Sequence, residues 1–383
     1  MDDSQSDNTN LPVTPPTPGA PPALSPPPTI QPSPRPVRRS WGWVIVACVL
    51  AAMLGISLLA NLGLFLTGVP LGTTTYSARQ AGLMEVVIEE NHERNKIAVL
   101  DLSGIITGDA LGRSGRSLVD SIADQLELAA DDSNVRAVVL RIDSPGGEVL
   151  ASDEISQAIR DFQEAHDKPV VTSMGSMAAS GGYYVAAPSD WIVAHELTLT
   201  GSIGVIMHGY NYRALLNKVG IQPQVFKSGK FKDMLSGEKS MEDILPEERT
   251  MVQGLIDETF QRFKKVVREG REAAHKSNGE EGRALASNWE EFADGRVLSG
   301  KQAYEYGFVD ELGNFDTAVE RAQDLAGIKA ANLIQYQRPF DLGNLFRIFG
   351  ESESKTSLML DLGMDLPRIH AGRLYFLSPT VME

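Results

Sequence analysis

The stretch PVVTSMGSMAASGGYYVA, residues 169–186, decides how the chain is read. Its first half is short, apolar and β-branched, as a buried strand is. Its second half changes to small residues and then to Ser180, two glycines and two tyrosines. A strand that runs into a glycine turn and then a helix is one βα unit. A second unit lies just upstream. VRAVVLRID (135–143) predicts a strand, SPGG (144–147) a turn, and LASDEISQAIRDFQEAH (150–166) a helix. Ser152 and Asp153 are its expected caps. KIAVLDLSGII (96–106) and SLVDSIADQLELAAD (117–131) make a third strand and helix. Strand and helix in alternation imply right-handed parallel βαβ units. DWIVAHELTLTGSIGVI (190–206) continues with strand structure. A long amphipathic helix is expected from Pro246 to about residue 274, and a last one over 316–327.

Outside this core the composition changes. Residues 1–40 are rich in proline and read as an extended, disordered tail. Residues 41–69 carry no charge, and Arg35, Arg38 and Arg39 precede them. That pattern predicts a transmembrane helix with the amino terminus in the cytoplasm and the domain that follows outside a bacterial-type plasma membrane. Residues 70–94 are then a linker, 95–327 the folded domain and 328–383 a carboxy-terminal extension. In the last of these only PFDLGNLFRIFG (339–350) and SLMLDLGMDL (357–366) have amphipathic character.

The chain of 383 residues has a net charge of −15, which argues against nucleic acid as a partner. Its one cysteine, Cys48, excludes a disulfide framework. The six histidines are scattered and form no metal motif, so no metal or cofactor is expected.

The chemistry concentrates in the two glycine turns. Glycines expose backbone N–H groups and allow dihedrals that other residues resist. Two successive βα turns meet at one end of a parallel sheet. Ser180 would stand there with the N–H groups of Gly147 and Gly181 placed for an oxyanion. A nucleophilic serine needs a base. His166, His195 and His208 have no distinctive acid partner nearby in sequence. Lys227, Lys230 and Lys232, in VFKSGKFKDMLSG, are the alternatives, and spacing alone does not choose among them.

MAASGGYYVA, LTGSIGVIM, KSGKFKDMLS and ADGRVLSGKQAYEYGFVDELG, in that order and together with DSPGG, resemble the signal peptide peptidase A (protease IV) family of membrane serine peptidases. The resemblance implies an α/β fold of ClpP/crotonase-like repeated ββα units behind an N-terminal transmembrane helix. It implies a short, single-half form that assembles as a ring-like homo-oligomer on the lipid bilayer. It implies a Ser-Lys dyad of Ser180 and Lys232, oxyanion donors at Gly147 and Gly181, and Ser202 orienting the lysine. Its peptide substrates would include cleaved signal peptides and other short or unfolded chains. A crotonase-like acyl-thioester enzyme and a catalytically dead membrane scaffold are the competing readings. A lysine can act as a base only if its pKa falls from near 10.4, so Lys232 is expected to be partly buried between Phe231 and Met234. Asp233 is expected to point away from it.

Overall fold

The computed structural model describes residues 41–67, 82–109, 116–279, 281–338 and 374–377. The chain divides into two units, Met1–Gly72 and Thr73–Glu383. In the first, α1 runs over Trp41–Thr67. Among the described residues no helix is long and apolar enough to cross a membrane. The expected transmembrane span at 41–69 is therefore corrected. The single-pass topology, the membrane localisation and the bilayer partner that were derived from it go with it. The expected tail at 1–40 lies outside the described residues.

The second unit is a mixed α/β domain. It begins with β1 (Met84–Glu89), β2 (Lys96–Ser103), α2 (Leu118–Asp131), β3 (Val135–Ser144), β4 (Gly146–Glu148) and α3 (Val149–His166). There follow β5 (Val170–Ala179), α4 (Gly181–Ala186), β6 (Trp191–Ala194), β7 (Leu199–Gly201), α5 (Arg213–Lys218) and α6 (Pro246–Asn278). The chain continues through β8 (Val297–Ser299), α7 (Gly300–Glu305), β9 (Glu311–Leu312), α8 (Phe315–Leu325), β10 (Asn332–Gln337) and β11 (Tyr375–Leu377).

The principal sheet runs β1-β10-β2-β3-β5-β6-β9, with β7 on β5 and β8 on β7. The pairs β2–β3, β3–β5 and β5–β6 are parallel, as the alternation of strand and helix requires. Both faces of these strands are covered. Leu100, Leu140, Ile155 and Tyr183 belong to one core cluster, and Val99, Val139, Trp191 and Ala322 to the other. Burial on both faces explains why VRAVVL and PVV read as near-continuous apolar runs.

The expected repetition of ββα units is corrected. β1 and β2 are separated in the sheet by β10, and β5 runs straight into α4. No clear ββα repeat organises the sheet. Helix α3 also begins earlier than its sequence suggests. Glu148 stands at its cap position, and Ser152 bonds back to the Glu148 carbonyl at 2.8 Å instead of capping. α2 does have the capping box, with Ser117 and Asp120 bonding reciprocally. α6 starts at Pro246, whose missing N–H costs nothing in the first turn.

Candidate active site

Ser180 stands between β5 and α4. Its backbone has φ 54° and ψ −115°, a conformation rarely adopted by residues with a side chain. Such strain costs on the order of 1–3 kcal/mol and persists only where neighbours over-determine it. Two hydrogen bonds fix it. The Ser180 N–H donates to the Gly201 carbonyl at 2.8 Å, and the Tyr184 N–H donates to the Ser180 carbonyl at 2.8 Å. The residue is 1% exposed, and its Oγ has no hydrogen-bond partner among the described residues. A buried hydroxyl left unbonded costs free energy, so its persistence calls for a reason.

The two glycine turns meet around it. A Cβ on Gly181 would lie 2.7 Å from Ser152 Oγ and 3.0 Å from the Gly147 nitrogen. A Cβ on Gly147 would overlap the Ile106 carbonyl, its carbon 2.6 Å away. The Ile106 segment binds this turn on both sides. Ile106 N–H donates to Gly146 O at 2.9 Å, and Glu148 N–H donates to Ile106 O at 2.8 Å. The small residues in both motifs are thus a packing requirement. Only bare backbone lets the two turns approach each other this closely.

Ser202 is near by. It follows Gly201, whose carbonyl holds Ser180, and it is 3% exposed with φ 51°. Its N–H donates to the Arg296 carbonyl at 2.7 Å.

Lys232 is elsewhere. It sits in an exposed turn, its N–H donating to Gly229 O at 3.2 Å. Among the described residues its side chain has no partner and does not meet Ser180. The expected shelter between Phe231 and Met234 is absent. The neighbouring charges are engaged with one another. Asp233 accepts from Lys227 at 2.8 Å and from Lys239 at 3.4 Å, and Lys239 also meets Glu248 on α6 at 2.5 Å. These bonds hold the Asp233 carboxyl below its ordinary pKa, the hydrogen bond from Lys227 first. Lys230 pairs with Glu247 at 3.1 Å. Lys232 is therefore the one of the three candidate lysines without an ion pair among the described residues. None of His166, His195 and His208 bonds to the Ser180 hydroxyl, which has no partner among the described residues. His195 Nδ1 accepts from the Leu197 N–H at 3.2 Å, and the His166 ring packs on Phe162.

An aromatic cluster, missed in the sequence, adjoins the serine. Tyr184 and Phe263 have ring centroids 4.9 Å apart, and Phe376 of β11 lies 4.8 Å from Tyr184 and 4.6 Å from Phe263. The Tyr184 hydroxyl bonds to Asp153, which Arg262 also meets at 3.2 Å. Burial, then the bond to Asp153, pushes the Tyr184 hydroxyl well above the usual range. No local signal marks this cluster, because its three rings come from distant parts of the chain. A separate polar cavity of about 500 Å³, lined by Arg136, His166, Lys168 and Asp190, lies at the other end of β3 and β5.

Comparison with known proteins bears on the family. Residues 163–329 match peptidase family S49. A Synechocystis protein carrying a provisional protease name is 38% identical over 61% of this chain and 76% of its own length. An Enterococcus faecium protein provisionally named a signal peptide peptidase is 34% identical over 67% of this chain and 71% of its own. Protease 4 of Haemophilus influenzae is 32% identical over 65% of this chain but only 38% of its own. A membrane-bound stomatin-specific protease of known structure is 19% identical, with a TM-score of 0.38 over 64% of this chain and 99% of that one, too distant to bear on fold or chemistry. The resemblance seen in the sequence holds for the family and is corrected for the membrane-anchored form, since no described helix can cross a membrane. The chain belongs to peptidase family S49 and is a serine protease.

Proposed function

We propose that the chain hydrolyses peptide bonds through an acyl-enzyme on Ser180. The N–H groups of Gly147 and Gly181 receive the developing oxyanion, Lys232 is the base, and Ser202 orients its amine. The observation that carries this reading is the state of Ser180. A buried, unbonded hydroxyl on a strained backbone, beside two bare glycine turns, has the form of a nucleophile awaiting an acyl group. Lys232 is favoured among the lysines because Lys227 and Lys230 already have carboxylate partners. A neutral amine is the form that can take a proton, and ion pairing works against neutrality. Lys232 must then be carried to Ser180 by movement of its turn or supplied by a second copy of the chain.

Membership of a peptidase family displaces the thioester enzyme and the inactive scaffold as readings. The test is labelling with a serine-directed phosphonate, read by mass spectrometry at Ser180, alongside hydrolysis of a peptide library. Label on Ser180 and hydrolysis lost in Ser180→Ala are expected. Label elsewhere, or full hydrolysis by Ser180→Ala, overturns the reading.

A further inference from the structure

Asp153, expected to cap α3, lies inside that helix and binds two others. Its carboxylate accepts from the Tyr184 hydroxyl of α4 at 2.5 Å and from the Arg262 guanidinium of α6 at 3.2 Å. Tyr184 is fully buried, and burial keeps its hydroxyl protonated, so it stays a donor. The Tyr184 N–H in turn donates to the Ser180 carbonyl at 2.8 Å. One carboxylate therefore joins α3, α4 and α6 a single helical turn from the nucleophile.

The two halves of α6 differ. From Phe263 onward the helix is fixed to the body of the domain. Phe263, Val266, Val267 and Arg271 are buried, Gly270 leaves no room for a methyl group against the Ala187 carbonyl, and Arg271 donates to the Ser189 carbonyl at 2.9 Å. Before Phe263 none of residues 249–262 is buried. Burial returns only at Glu248, which holds Lys239 at 2.5 Å, while Glu247 beside it holds Lys230. The first half is thus an arm, about 22 Å long from Glu248 to Phe263 at 1.5 Å per residue. Its far end grips the segment that carries Lys232. Asp153 grips Arg262 where the arm leaves the body. A tilt of about 5° at that point moves the far end by about 2 Å, and a misplacement of about 1 Å in a reacting group costs on the order of a hundredfold in rate.

We propose that Asp153 is a positioning residue for the base: by tying Arg262 to Tyr184 it sets the angle of the α6 arm, and the arm sets where the Lys232 turn can reach. This rests on Ser180 and Lys232 as the working pair, whether the lysine serves its own chain or a second copy. Asp153 acts only through other residues. Loosening its grip leaves Ser180 and both glycine turns in place, because backbone hydrogen bonds hold them. Peptide binding should therefore survive, and delivery of the base should suffer. Asp153→Asn is the probing change. The amide oxygen can still accept from Tyr184, but the charge that faces Arg262 is gone.

The experiment measures kcat and KM of the full chain on one fluorogenic peptide at low salt. Asp153→Asn should lower kcat about tenfold and leave KM nearly unchanged. Arg262→Gln should do the same from the other side of the pair, and it keeps the test open if Asp153→Asn folds poorly. Glu248→Gln frees the far end of the arm. If the arm carries the effect, Asp153→Asn combined with Glu248→Gln should be no slower than the slower single variant. Losses that multiply overturn the inference, because Asp153 and Glu248 would then act separately. A raised KM with kcat unchanged overturns it too, since Asp153 would be a substrate contact. Wild-type kcat in both Asp153→Asn and Arg262→Gln, with Ser180→Ala and Lys232→Ala inactive, overturns this inference alone. Full activity in Lys232→Ala takes the assignment of the base down with it.

Discussion

The Ser180 end of the sheet and the Lys232 turn are opposite kinds of structure. Around Ser180 nearly every constraint is backbone: strand ends, two glycine turns and buried contacts with no room for a methyl group. Around Lys232 the constraints are side-chain ion pairs, Lys227–Asp233–Lys239–Glu248 and Lys230–Glu247, on a partly exposed loop. Backbone packing defines position sharply and resists adjustment. The exposed pair Lys230–Glu247 is weak and yields to salt, whereas Lys239–Glu248 is nearly buried and holds more firmly. A nucleophile and its oxyanion donors need the first kind. A base that must reach the nucleophile can be carried on the second.

The comparison breaks first if chemistry does not need both regions. Ser180→Ala should lower kcat by on the order of 10⁶, the scale of losing a nucleophile. Lys232→Arg should be as inactive as Lys232→Ala, because a guanidinium does not deprotonate at usable pH. Lys227→Ala and Lys230→Ala should retain most turnover. If inactive Ser180→Ala and Lys232→Ala chains regain activity on mixing, the lysine comes from a second copy. A next, smaller effect concerns rigidity. Arg271 and Asp310 form an ion pair with no side-chain exposure, and Arg271 also donates to the Ser189 carbonyl at 2.9 Å. Arg271→Met should cost about 3–5 kcal/mol by leaving a buried carboxylate unpaired. Thermal denaturation checks this, and kcat of the folded fraction should hold. Gly181→Ala should lower kcat, and Ser152→Ala added to it should recover part of the loss, since Ser152 Oγ is what the new methyl meets first. Gly147→Ala should have no such relief, because its obstacle is the Ile106 backbone.

What could be read from the sequence follows the same division. The parallel strands, α2, α6 and the two glycine turns are local patterns, and the structure keeps them. The strain at Ser180 is not local. It depends on Gly201, which pairs with Ala179 through β7. β1, β10 and β11 carried no usable signal, since each is defined by a partner far along the chain. Phe376 reads as one apolar residue in RLYFLSP, and only the register with Gly147 gives it a place in the site. The segment at 41–69 was read from its lack of charge and the arginines before it, and among the described residues no helix is long and apolar enough to cross a membrane. The partners of Asp233 were invisible for another reason. An ion-pair network among alternating Lys, Asp and Glu has many pairings, and spacing does not choose one.

The smallest effect tests whether that network positions the base. Asp233 is gripped by Lys227 and Lys239, and Lys239 is tied through Glu248 to α6. Asp233→Asn keeps the shape and removes the charge that both lysines hold. The turn should then sample more positions, and kcat should fall severalfold with KM nearly unchanged, since Asp233 meets no substrate in this reading. The pH dependence has a definite sign. The folded pKa of Asp233 is lowered, so its contribution is present above the unfolded carboxylate value near 3.9 and is lost as pH falls through the folded value. Wild-type and Asp233→Asn enzymes should therefore differ at neutral pH and converge in stability in strong acid. Salt should lower wild-type kcat toward that of the variant, which a purely steric role for residue 233 would not produce. Equal kcat in the two proteins at low salt would leave the network as surface charge and return the positioning of Lys232 to its own turn.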